Sequence, residues 1–169
     1  MGDPKLPALI ALVVLAFVAN TVGVFTPGWI CIDYYNYFDD GGGCTGIVPY
    51  YADLEPAWFA AASWLMFISF ATFLILLFFV YSARSKIHHH GYGSHTRKWF
   101  HFIALAAFFI VLLTVAAVTL IGVYVSTSLN QYYNVFYLGY SVWVSIGAGV
   151  VCLGVMGLAF ALSRKDGCC

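Results

Sequence analysis

Two cysteines, Cys31 and Cys44, stand inside the longest polar interval of the chain, TPGWICIDYYNYFDDGGGCTGIVPYYADLEP from Thr26 to Pro56, where their thiols can do covalent chemistry. They flank Asp39-Asp40-Gly41-Gly42-Gly43, in which Gly supplies the positive φ of a tight turn and Asp tolerates it better than most residues. On an oxidising side of a membrane such a pair is expected to form a disulfide. Closing a loop of about 14 residues favours the ordered form by roughly 3 kcal/mol in the chain-entropy model. The interval also carries the acids Asp33, Asp39, Asp40, Asp53 and Glu55 and no base. These carboxylates either attract cations to the surface or simply keep an exposed loop soluble. A third cluster, His88-His89-His90 with His95, has the residue type for a transition metal. It lacks acidic or cysteine partners and a fixed helical spacing, so no metal site is expected there and the stretch reads as a basic loop beside anionic lipid.

Catalysis finds no matching set of groups. No Asp, Glu, Lys or Arg falls inside the four apolar segments described next, and His101 stands at the end of one of them. The chain has no C-x-x-C, no paired intramembrane aspartates and no phosphate-cradling glycine loop. No catalytic residue, no cofactor and no nucleic-acid partner is therefore expected. Transport through a single copy is not expected either, because no interrupted helix or intramembrane charge marks a path.

The elements that hold these residues follow from composition. Hydrophobic residues make up 63% and charged residues 8% of the 169 positions, against about a quarter charged in soluble domains. Four windows, 6–25, 57–81, 100–125 and 138–162, each supply the roughly 20 apolar residues that cross a bilayer as a helix. The first is too long, and lacks the small-x-small site after it, to read as a cleaved signal peptide. Four spans put both termini on one side. Lys5, Arg84, Lys86, Arg97, Lys98, Arg164 and Lys165 all fall on that side, which the positive-inside rule makes cytoplasmic. The loops 26–56 and 126–137 are then extracellular, and 82–99 is cytoplasmic. The expectation is one all-α membrane domain over 1–169: a left-handed four-helix bundle in the plasma membrane, in contact with membrane lipids.

Local signals refine this. Ile30 to Phe38 is rich in β-branched and aromatic residues and predicts a strand; Cys44 to Val48 returns antiparallel to it as a small extracellular hairpin. Asn20 near the outer end of span one predicts either a polar partner on another helix or a place at the headgroup edge. Ser141, Ser145 and Gly149 recur at four-residue steps on span four. Such a face allows close helix approach, either to a membrane partner or within the chain's own bundle. Cys168 and Cys169 follow Arg164-Lys165, where S-palmitoylation occurs.

Four spans, cytoplasmic termini, a first outer loop of β-character with two cysteines, a shorter second loop and a small-residue fourth span together resemble the claudin, peripheral myelin protein and epithelial membrane protein superfamily. The local match is Pro27 and Trp29 in Thr26-Pro27-Gly28-Trp29, which resembles the Pro-x-Trp at the outer end of a claudin's first span, and Cys168-Cys169 are similar to claudin palmitoylation sites. The Gly-Leu-Trp that precedes the claudin cysteines is missing, and the first loop is short. The resemblance implies a non-enzymatic membrane protein with one of two roles. One is an auxiliary subunit that docks beside an ion channel or receptor and tunes its assembly, trafficking or gating, which the clipped loop slightly favours. The other is a cell-junction protein with homotypic or heterotypic claudin-like contacts and a cation-attracting acidic surface.

Overall fold

A computed structural model describes residues 5–32, 43–48, 56–90, 94–129 and 136–164. Four helices long and apolar enough to cross a membrane dominate it: α1 (Lys5–Phe25), α2 (Ala57–His90), α3 (Ser94–Tyr124) and α4 (Tyr140–Arg164). Three short strands, β1 (Ile30–Ile32), β2 (Gly43–Thr45) and β3 (Phe136–Leu138), form one antiparallel sheet in the order β2-β1-β3. All three lie at the same end of the bundle, where α1 and α3 finish and α2 and α4 begin. Lys5, Arg84, Lys86, Arg97, Lys98 and Arg164 belong to the opposite, basic end.

The helices pack because each carries a buried seam at coiled-coil spacing. On α2 the buried residues Phe59, Ala62, Met66, Ser69, Phe73, Leu76, Val80 and Ala83 alternate by three and four. On α3, Phe100, Ile103, Ala107, Ile110, Thr114, Ala117 and Ile121 do the same. A seam of this 3.5-residue period stays in register only if the helices wind left-handed, the expected arrangement. Helix α2 packs chiefly on α3, and α4 lies against both α1 and α3. Phe17 of α1 bridges to Phe70 and Phe73 of α2, with ring centroids 5.7 and 6.2 Å apart.

Two apolar cores fill the interior, one toward the basic end around Leu9, Phe73, Phe100 and Leu162, the other under the sheet around Trp29, Ile47, Met66 and Ile121. Between them runs a layer of buried polar side chains, Asn20, Ser69, Thr114 and Ser145, one from each helix. Thr114 and Ser145 satisfy their hydroxyls on the carbonyl four residues back. Asn20 and Ser69 have no hydrogen-bond partner for their side chains among the described residues. Neither expectation for Asn20 is met: it is fully buried at a seam position that follows Leu9, Val13 and Ala16, facing the bundle interior, and it has no polar partner on another helix among the described residues.

Other boundaries also move. The stretch 82–99 is helical through His90 and again from Ser94, because its apolar residues continue the seam. Phe79 meets Trp99 edge-on at 5.9 Å and Lys86 lies over the Trp99 ring at 6.0 Å. Residues 136–138, expected at the junction of the second loop and span four, form a strand, so α4 begins at Tyr140.

Candidate functional site

The Thr26-Pro27-Gly28-Trp29 motif sits where α1 gives way to the sheet. The last carbonyls of a helix have no intrahelical partners, and Pro27 cannot extend the ladder. The chain turns instead, and Trp29 folds back under its own helix. Its side chain is fully buried, and its indole Nε1–H donates to the Gly23 carbonyl at 2.7 Å. A large aromatic body is thus placed in the core while its one polar atom caps an exposed-ended helix. Pro27, the other motif residue, stays exposed.

Ser141, in the first turn of α4, closes the clasp from the other side. Thr26 Oγ1–H donates to the Val22 carbonyl at 2.6 Å, so at the 2.7 Å contact between the two hydroxyls Ser141 donates and Thr26 accepts. Ser141 Oγ in turn accepts the Gly28 N–H at 3.1 Å. Three main-chain bonds run alongside: Ser141 N–H to Gly28 O at 2.9 Å, Gly139 N–H to Trp29 O at 3.1 Å and Trp29 N–H to Thr45 O at 3.1 Å. Gly139 is required here, since an added Cβ would strike the Gly28 carbonyl and stand 2.9 Å from Cys31 Sγ.

The sheet extends from this clasp. In β1, Ile30, Cys31 and Ile32 face Thr45, Cys44 and Gly43 of β2 on one side and Leu138, Tyr137 and Phe136 of β3 on the other. The opposed Cys31 and Cys44 are joined by the disulfide expected from the sequence. β1 is the buried centre, and β2 is an exposed edge at all three residues. Tyr137, Tyr140 and Trp143 stand around the same end, the last 64% exposed. At the same end, Trp58 of α2 stacks on Tyr124 of α3 with centroids 4.9 Å apart and planes 6° from parallel.

The proposed partner-packing face lies inside the molecule. Ser141 and Ser145 are fully buried, Gly149 is buried, and an added Cβ at Gly23 of α1 would collide with Ser145 Oγ. Gly149 faces the Thr114 methyl of α3. Ser141 and Ser145 bring α1 close to α4, which removes these two from any outside surface. Asp33, Asp39, Asp40, Asp53, Glu55, Cys168 and Cys169 lie outside the described residues, as do the side chains of His88, His89, His90 and His95. Two participants were missed by the sequence reading, Ser141 as the clasp and β3 as the third strand. The aromatic run Phe136-Tyr137-Leu138 carried a β signal for the latter; nothing local marked Ser141 as a partner of Thr26.

Four spans that clamp a small disulfide-bonded sheet, with a buried tryptophan as the pin, define a multi-pass membrane protein that presents ordered structure on one face of the bilayer. A family model described as "Tight junction protein, Claudin-like" matches residues 1–169, and the chain belongs to that claudin-like family. No curated protein matches the chain.

Proposed function

We propose that the protein is a junctional adhesion protein of the plasma membrane, with both termini cytoplasmic, which meets a second copy or a claudin-like neighbour through its sheet end. The observation that carries this reading is the union of both outer loops in a single sheet whose centre is pinned to the bundle and whose β2 edge is exposed. A pinned sheet enters contact without a large ordering cost, and an exposed strand at the edge of a sheet is where another strand can add. Exposed Tyr137, Tyr140 and Trp143 add the aromatic area that interface cores favour. The acids of the first loop would attract cations to the cleft so formed. The auxiliary-subunit reading rests on the missing Gly-Leu-Trp and the short first loop, and the side-on docking face suggested for it is weakened because Ser141 and Ser145 serve internal packing.

Mixed cultures test the proposal. A fluorescently tagged protein should collect at borders between two expressing cells and stay diffuse at borders with a non-expressing neighbour. Equal density at both kinds of border, with an ion channel recovered in native-detergent pull-downs, would restore the auxiliary role.

A further inference from the structure

At the basic end, α3 and α4 meet where the His101 ring lies edge-on against Phe160, 6.4 Å between centroids. His101 Nδ1–H donates to the Arg97 carbonyl at 2.9 Å, which fixes the ring over the first turns of α3. The helices run antiparallel, so Arg97, four residues before His101, and Arg164, four after Phe160, both lie one turn beyond this contact toward the basic end. Residues four apart share a helix face. The two guanidinium groups therefore belong to one side of the α3–α4 pair, and both residues are exposed.

The same side is hollowed. A depression of about 400 Å³ is lined by Gly157, Phe160, Ala161 and Arg164, and a Cβ added at Gly157 would meet nothing within 4 Å. Further from the basic end, a second depression of about 190 Å³ lies between Val115 and Val118 of α3 and Gly149 and Leu153 of α4. Positions 149, 153, 157, 160 and 164 step by three or four along α4, so the two depressions line up along one helix face.

We propose that this side of the α3–α4 pair is a binding site for one anionic phospholipid of the leaflet at the basic end. The headgroup phosphate pairs with Arg97 and Arg164, and an acyl chain lies in the depressions that Gly157 and Gly149 leave open. Charge complementarity selects this occupant: the depression beside Gly157 and Phe160 has Arg164 in its own lining, Arg97 stands on the same side one turn beyond the His101–Phe160 contact, and arginine binds phosphate oxygens through paired N–H groups. No Asp or Glu occurs among the described residues to neutralise them; Asp3 and Asp166, the acids of this end, lie outside those residues. Basic pockets between helices at a membrane's cytoplasmic side hold anionic headgroups in this way.

The test is native mass spectrometry of the full chain released from phosphatidylcholine nanodiscs doped with phosphatidylserine. The wild type should carry phosphatidylserine in excess over its share of the nanodisc. Arg97→Gln with Arg164→Gln should lower that enrichment by about fivefold for each arginine. Gly157→Leu, which fills the exposed depression without changing charge, should lower it too. Lys86→Gln removes a basic residue that lies over Trp99 instead and should leave the enrichment intact. The proposal is overturned if the wild type shows no enrichment, if the arginine or glycine variants keep it, or if Lys86→Gln loses as much as the arginine pair, since the attraction would then be a diffuse property of the basic end.

Discussion

Trp29 concentrates more of the fold in one side chain than any other residue at the sheet end. Its ring contributes to the core under the sheet, its indole caps α1, and its main chain pairs with Thr45 and Gly139 at once. The indole nitrogen separates the polar from the apolar contribution. Trp29→Phe keeps most of the buried area but leaves the Gly23 carbonyl without its donor, a loss of about 1–3 kcal/mol for a buried acceptor left unpaired. The expected outcome is a clearly lower unfolding midpoint in detergent, while Trp143→Phe at the exposed position leaves it unchanged. An equal midpoint for both variants would mean that the indole bond contributes nothing.

Packing of whole helices turns on where glycine is needed and where it is only present. At Gly23 an added Cβ would collide with Ser145 Oγ and stand 3.4 Å from the Ser141 carbonyl, so α1 and α4 touch through this residue. At Gly149 it would meet only Thr114 Cγ2, at 4.0 Å. Gly23→Ala should therefore destabilise the bundle by about 1–3 kcal/mol through overpacking, whereas Gly149→Ala should be close to neutral. Combining Gly23→Ala with Ser145→Ala removes the first clash and should recover part of the loss, seen as coupling in a double-mutant cycle of unfolding midpoints. Strict additivity of the two changes would place the contact elsewhere. Between the two apolar cores, Asn20 occupies a seam position that an apolar residue would fill with less cost. In coiled coils a single buried Asn at such a position specifies register at the expense of stability.

Across the whole molecule, the sheet end and the basic end divide the chain's chemistry, and the positive-inside rule predicts a cytoplasmic basic end. An engineered Ser85→Cys, at an exposed position near the end of α2, should resist an impermeant thiol reagent on intact cells and react once they are permeabilised. Labelling of intact cells would invert the orientation. Periodicity and composition alone determined the four helices, since no segment of that length and apolarity can leave its backbone groups unpaired in lipid except as a helix. The pairing of Cys31 with Cys44 was equally legible, because two cysteines flanking a glycine turn leave little choice. Contacts between distant segments were not legible. Ser141 bonds Thr26 across 115 positions of sequence, and β3 joins β1 only because α3 and α4 deliver it to the same end. Whether Ser141, Ser145 and Gly149 faced a partner or their own bundle was likewise open, since a small-residue stripe reads the same in either case. Tertiary structure decided it by placing Gly23 of α1 against Ser145, for which a four-residue step on one helix carries no information about the helix opposite.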